Sequence, residues 1–281
     1  MILGHLGETT SGIHRYSLNL HRLYPDHSDR QQFERRWRDF IASDADHADL
    51  FSRDGEVLVY PTESFLTQAP DRRPPVLLVL GNPASQSVRA GMCFAFERGS
   101  QQEHRFWRAL RVAGWLSFND AGMTGTDVAV RNAARRTQLL SGQYQSPFRI
   151  GIDVFFTFPS PASAPRWSGV AGLKTLFGSR ALRLIAEAER ARLSTTIAQY
   201  IAKPGAVVAF QRDAYEGLRE RSAPPYAATT ARAGELSSAS AAGCAVPLFG
   251  APPTRLAHSH AFHAVLRAYA ATITAARPLP V

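Results

Sequence analysis

From residue 76 onward the chain alternates between short unbroken apolar runs and longer amphipathic stretches. The runs are Val76–Leu80 (VLLVL), Ile150–Phe158 (IGIDVFFTF, stopped by Pro159), Gly205–Phe210 (GAVVAF) and Cys244–Phe249 (CAVPLF, interrupted by Pro247). Runs this short, with no polar alternation, fit strands buried on both faces. Between and after them, helices are predicted over 103–113, 126–140, 179–202, 213–221 and 260–276. In the first of these, Phe106 and Leu110, flanked by Trp107 and Val112, are predicted to face inward. Residues 222–243 are small and polar and predict a mobile loop. Strands alternating with helices four times predict an α/β fold. The expected form is a three-layer α/β/α arrangement with a central four-stranded, mainly parallel sheet. There is no internal repeat.

The pattern ahead of residue 76 is different. Residues 1–75 read as a partly helical N-terminal extension, and 76–281 as the α/β/α domain. Gln31–Ala42 has helical spacing, with Phe33, Trp37, Phe40 and Ile41 on one side. Glu56–Tyr60 predicts a short strand or turn, and Gln68–Pro75 a proline-rich connector. No apolar run reaches the ~18–20 residues that span a bilayer. The start, MILGHLGETTSGIHRY, has no basic segment followed by an apolar one. The expectation is a cytoplasmic monomer that makes no membrane contact.

Composition changes the picture in one respect. The net charge is +9 and the sequence pI about 10.1, and Lys174 and Lys203 are the only lysines. Guanidinium forks match phosphate oxygens, so arginine excess fits a polyanionic partner such as DNA; compositional bias of the source remains an equal alternative. Two cysteines, Cys93 and Cys244, are too few for a disulfide framework or a cysteine-ligated iron–sulfur cluster and read as reduced thiols.

Sites in parallel sheets sit in the loops at the carboxyl ends of the strands. Here those loops are 81–96, 157–164, 211–213 and 250–259. The first reads GNPASQSVRAGMCFAFE and leads to a helix opening HRFW. This segment resembles the first motif of the uracil-DNA glycosylases, nearest to their mismatch-specific branch: a strand, Gly-x-Asn-Pro-Gly, a spaced Gly-x-x-Phe, then Arg-Phe-Trp. GAVVAFQRDAYEGL (205–218) and PLFGAPPTRLAHSHAFHAVLRAY (247–269) resemble later regions of that branch, in matching order, so the likeness runs over about residues 76–277.

The resemblance implies a DNA glycosylase that takes a base out of the stack, without metal or organic cofactor. Asn82 falls at the position that orients water toward the sugar, with a turn asparagine as the alternative. Phe94 falls where the family stacks a ring on the base, with a core phenylalanine as the alternative. Gly81 and Pro83 shape the base-binding loop, and Thr157 is the candidate for reading the base edge. Thr254, Arg255 and Leu256 are the candidate DNA contacts. The sequence departs from the pattern at three points. Ala84 stands where the branch has glycine, no asparagine stands near Thr157, and no histidine or asparagine precedes the proline in Ala251-Pro252-Pro253-Thr254. These departures predict altered base preference and weakened leaving-group stabilisation.

Three function classes stay open. They are a glycosylase acting on uracil, hypoxanthine or xanthine, a DNA- or base-binding module without catalysis, and a hydrolase of free nucleosides. The triad His258, His260 and His263 lacks the i, i+4 spacing of a zinc pair, so no metal is expected. Arg131, Arg135 and Arg136 read either as a solvated helix face or as a phosphate-tracking cluster.

Overall fold

A computed structural model describes residues 1–67, 71–96, 102–120, 127–201 and 204–276. The N-terminal part builds a sheet of its own. Strands β1 (Leu3–Thr10) and β2 (Ile13–Asn19) form an antiparallel hairpin. Its two-residue turn, Ser11-Gly12, uses a φ of +80° at Gly12, where a Cβ would lie 2.5 Å from the Phe65 ring. Then come α1 (Leu20–Leu23), α2 (His27–Ala42), α3 (His47–Leu50), β3 (Ser52–Asp54) and β4 (Val57–Glu63), giving a four-stranded sheet in the order β1-β2-β4-β3. Edge strand β1 is mostly exposed and slips register twice, between His5 and Gly7 and between Glu8 and Thr10. Such bulges blunt an edge against pairing with another chain.

The second part of the chain runs β5 (Pro75–Leu80), α4 (Ser85–Ala90), α5 (Arg105–Val112), α6 (Val128–Ser141), β6 (Arg149–Val154), α7 (Gly169–Phe177), α8 (Ser179–Tyr200) and β7 (Ala206–Phe210). It continues through α9 (Arg212–Leu218), α10 (Ala228–Ala233), β8 (Ser237–Ser238), β9 (Leu248–Ala251), a 3-10 turn (Thr254–Leu256) and α11 (His260–Ala275). The fold is α/β, and its sheet is mixed. The order is β6-β5-β7-β9-β8, with the first four strands parallel and β8 antiparallel to β9. The expected four-stranded sheet is therefore a five-stranded one.

Every residue of β5 is buried, which explains its unbroken apolar run. Alternate residues feed two different cores. Leu77 and Val79 join α7, α8 and the N-terminal elements, whereas Val76, Leu78 and Leu80 join α5 and α11. The N-terminal part enters the first core through aromatic stacking: Phe33 on Phe177 at 5.8 Å, Phe51 on Phe158 at 4.9 Å. The Tyr24 hydroxyl donates to the Phe177 carbonyl at 2.7 Å.

Four local expectations need correction. Val112 is 50% exposed and lies off the buried face of α5, which is formed by Phe106, Trp107, Ala109 and Leu110. The 222–243 loop contains α10 and β8. The last strand begins at Leu248, because Ala241–Cys244 closes a tight turn with positive φ at Ala242 and Gly243 and reciprocal backbone hydrogen bonds. Helix α8 ends at Tyr200. Thr126, expected to open the following helix, lies outside the described residues, as does the start of the connector at 68–70.

Candidate active site

Carboxyl ends of β5 and β6 run on as two stitched loops. Phe155 and Phe156 donate backbone N–H groups to Leu80 and Gly81, Ser160 donates to Pro83, and Ser85 donates to Ser160, all within 3.1 Å. In this frame the Asn82 side-chain amide donates to Ser160 Oγ at 2.8 Å, and to the carbonyls of Pro83 at 3.2 Å and Phe158 at 3.3 Å. That network fixes which end of the amide is nitrogen. Asn82 is half-buried, and among the described residues its Oδ1 has no hydrogen-bond partner. An acceptor is thus held at the sheet edge by three anchors on its nitrogen. Beside it the end of the Gln211 side chain lies over Gly81, where a Cβ would sit 1.5 Å from Nε2 and displace that side chain.

The N-terminal part braces both loops. His47 Nδ1 donates to the Phe40 carbonyl at 2.9 Å, and its Nε2 accepts from Ser85 Oγ at 3.0 Å. Burial lowers the His47 pKa, which keeps the ring neutral and suited to this pairing. On the other loop, Tyr60 Oη bonds Thr157 Oγ1 at 2.9 Å. Thr157 has no exposed surface, and its N–H and hydroxyl both donate to one oxygen of Glu189. The other Glu189 oxygen accepts from Arg192 Nε at 2.7 Å, and Arg192 Nη1 reaches both Asp153 oxygens at 3.0 and 3.1 Å. Burial pushes the Glu189 carboxyl up, opposed by Arg192 and by the Thr157 bonds. The Thr157 hydroxyl, expected at a base edge, is occupied by this interior network.

Phe94 is half-buried and has a φ of 48°, a left-handed conformation that a phenylalanine seldom adopts. Its carbonyl accepts from Trp107 Nε1 at 3.1 Å. Its ring stacks on His104 (4.7 Å, 19°) and packs against Phe106 (4.4 Å). His104 caps α5 by accepting the Phe106 N–H on Nδ1 at 3.2 Å. Burial, reinforced by the Arg105 charge, takes its pKa down to about 4, so the imidazole is neutral at pH 7. Phe106 in turn meets Phe210, the residue before Gln211, at 5.3 Å.

Thr254, Arg255 and Leu256 form the 3-10 turn after β9 and line a cleft of about 310 Å³ that Gln211 also borders. Gln211 therefore joins this cleft to Gly81. Its own φ is 74°, a second strained residue at the sheet edge.

The chain matches no family model and no curated protein.

Of the sequence-derived candidates, Gly81, Asn82, Pro83 and Thr157 belong to one stitched loop pair, and Thr254–Leu256 to the adjoining cleft. In the arginine cluster, Arg135 is buried rather than part of a solvated face, and Arg131 and Arg136 are half-buried. The Arg135 side chain is 4% exposed, pairs with Glu103 and Asp120, and stacks on Phe96 and Phe118. Arg131 lies over Phe96, and Arg136 donates to the Gly91 carbonyl. His263 bonds the Ala257 carbonyl, and His260 meets its ring edge-on at 6.4 Å. Among the described residues no three His, Cys, Asp or Glu side chains gather as a metal site, and no helix is long and apolar enough to cross a membrane. Both cysteines are free. Gln211, His104, Glu189 and Tyr60 were not anticipated. Of these, His104 lies in the HRFW segment and Gln211 opens the 211–213 loop, whereas Glu189 and Tyr60 carried no sequence signal.

Proposed function

We propose that this chain is a monofunctional DNA glycosylase of the uracil-DNA glycosylase superfamily, nearest its mismatch-specific branch, that removes a deaminated or damaged base in DNA repair. The observation that carries the reading is Asn82, with its amide nitrogen anchored three times and its Oδ1 left as an unpaired acceptor at the carboxyl edge of the sheet. In the hydrolysis the oxygen of water bonds to the sugar C1′ while the C1′–N bond breaks. The electron pair leaves with the base, and the proton lost by the water goes to solvent. Oδ1 accepts a hydrogen bond from that water and aims it. An amide is a weak base, so it orients water without deprotonating it fully, and the reaction depends on stabilising the departing base. Phe94, half-buried and stacked on His104, is the ring assigned to the base, with aromatic stacking worth ~1–3 kcal/mol per base. Thr254 and Arg255 hold the flanking strand.

The test incubates the protein with single-stranded and mispaired oligonucleotides carrying uracil, hypoxanthine or xanthine, followed by alkaline cleavage of abasic sites. Cleavage is expected on at least one substrate, and Asn82→Ala should slow it by about 10²-fold. Absence of abasic product on every substrate would refute the enzymatic reading for those bases. A second reading, a glycosylase-like module that binds DNA or a base without cutting, is favoured by the interior engagement of Thr157 and by the missing histidine ahead of Pro252. DNA binding without abasic product selects it.

A further inference from the structure

Three chain segments meet around the cleft beyond β7 and β9. Arg212 opens α9, Tyr226 precedes α10, Arg232 lies on α10, and Thr254 and Arg255 sit on the 3-10 turn. Helix α10 is held against α11 and β9 by the fully buried Ala231, so the Arg232 wall is built into the fold. All three guanidinium charges are felt at one phenol: burial raises the Tyr226 pKa, and Arg232, Arg255 and Arg212 pull it back. None of the three forms a salt bridge among the described residues, in contrast to Arg135 and Arg192. One carboxylate, Asp213, also borders the cleft and leaves it a net charge of about +2. Three unpaired guanidinium groups with a phenol and a threonine hydroxyl are donors suited to a tetrahedral oxyanion.

We propose that Arg212, Arg232 and Arg255, with Tyr226 and Thr254, form a phosphate-binding cleft that holds a phosphodiester of a nucleic acid strand one residue away from the Asn82 loop. Gln211 provides the adjacency, because it borders the cleft while its side chain covers Gly81. A nucleotide whose base reaches the Asn82 loop thereby leaves its phosphate over the arginines. Assigning the phosphate to a strand of DNA rests on the glycosylase reading; the anion chemistry of the cleft does not. Sequence reading found Thr254, Arg255 and Leu256 here and marked 211–213 as a site loop, but it missed Arg232 and Tyr226, which arrive on a segment whose pattern signals a loop.

The experiment measures binding of a fluorescent, undamaged single-stranded 12-mer across a salt series, so no excision is needed. Replacing three phosphate contacts should flatten the log–log salt slope by about 2. The triple variant Arg212→Gln/Arg232→Gln/Arg255→Gln should show that change together with a tenfold or greater loss of affinity. A control triple, Arg22→Gln/Arg35→Gln/Arg38→Gln, removes the same charge from exposed positions on the N-terminal part and should bind as the parent does. Changing the three cleft arginines to lysine should restore most of the slope. Deoxyuridine monophosphate and inorganic phosphate, titrated separately, distinguish the source: a free phosphate ester that binds through the three arginines while the 12-mer does not makes the ligand a mononucleotide. An unchanged slope and affinity in the cleft variant, or an equal loss in the control, would overturn the proposal. If Asn82→Ala and the parent both fail to excise any base but the cleft dependence holds, the glycosylase reading falls and the cleft stands.

Discussion

Replacing Glu189 by glutamine tests the interior network that fixes the second loop. Glu189 has no exposed surface, and its two oxygens serve different partners, one taking the N–H and hydroxyl of Thr157 and the other the Nε of Arg192. Glutamine keeps the shape but turns one oxygen into a donor. If the amide oxygen faces Thr157, its NH₂ meets the Arg192 N–H; if flipped, it meets the Thr157 N–H. In either orientation a buried donor loses its acceptor, and Arg192 keeps only Asp153 as a charged partner. Breaking one side of a buried pair costs about 3–5 kcal/mol. At roughly 2 °C per kcal/mol for a chain of this size, the melting temperature should fall by about 6–10 °C. Thermal unfolding followed by circular dichroism measures it. A cycle with Thr157→Val should show coupling above about 1 kcal/mol, because the Thr157 hydroxyl and the Glu189 carboxylate are direct partners in one buried network. A Glu189→Gln melting point within about 2 °C of the parent would refute the assigned network.

Two further changes test other parts of the fold. Glu63 is buried with one carboxyl oxygen unpaired, and burial takes its pKa from 4.5 to about 8. The unfolded chain then releases this proton at lower pH than the folded one, so stability falls as pH rises from about 4.5 to about 8, by up to about 5 kcal/mol. Glu63→Gln should be stabilising at pH 8 and near neutral at pH 4.5 in urea titrations, and an equal effect at both pH values would contradict it. Gly12→Ala should cost about 2–4 kcal/mol through its left-handed φ and overlap with the buried Phe65 ring; an unchanged urea midpoint would show that the turn relaxes freely.

How much of this was legible depended on whether a residue's surroundings were local. The buried strands announced themselves, because a strand covered on both faces leaves no room for polar alternation; β5 and β7 were located to within a residue of their ends, whereas β6 stops at Val154, four residues short of the Phe158 expected from Pro159, because the chain leaves the sheet there for the loop stitched to Leu80 and Gly81. Helix α2 starts four residues earlier than its apolar spacing, since His27–Arg30 are polar or charged and carry no periodic signal. The β1–β2 hairpin was hidden because β1 is an exposed edge that contributes only Leu3 as a fully buried residue. Helix α10 was hidden because only Ala231 of its six residues is buried. The late start of β9 follows from a turn with an alanine at positive φ, which sequence rarely signals.

At the site, the residues that a loop motif presents were legible, and those that hold the loop were not. Asn82 and Phe94 could be singled out from a linear pattern. What anchors the Asn82 amide nitrogen is Ser160, 78 residues away, and what fixes Thr157 is Glu189 from the middle of a helix and Tyr60 from the N-terminal sheet. Asp153 offered one unused hint: a charge inside an apolar strand must find a partner, and it found Arg192. The bracing contacts of His47 and Tyr60 also change the meaning of the first 63 residues. They hold the two loops that flank Asn82 from outside the main sheet, so the N-terminal part belongs to the rigid support of the site. The proposed phosphate cleft is lined instead by α10 and the turn after β9, and neither His47 nor Tyr60 lines it. Damage to one support should therefore weaken base handling or strand binding separately, and the two can be measured apart.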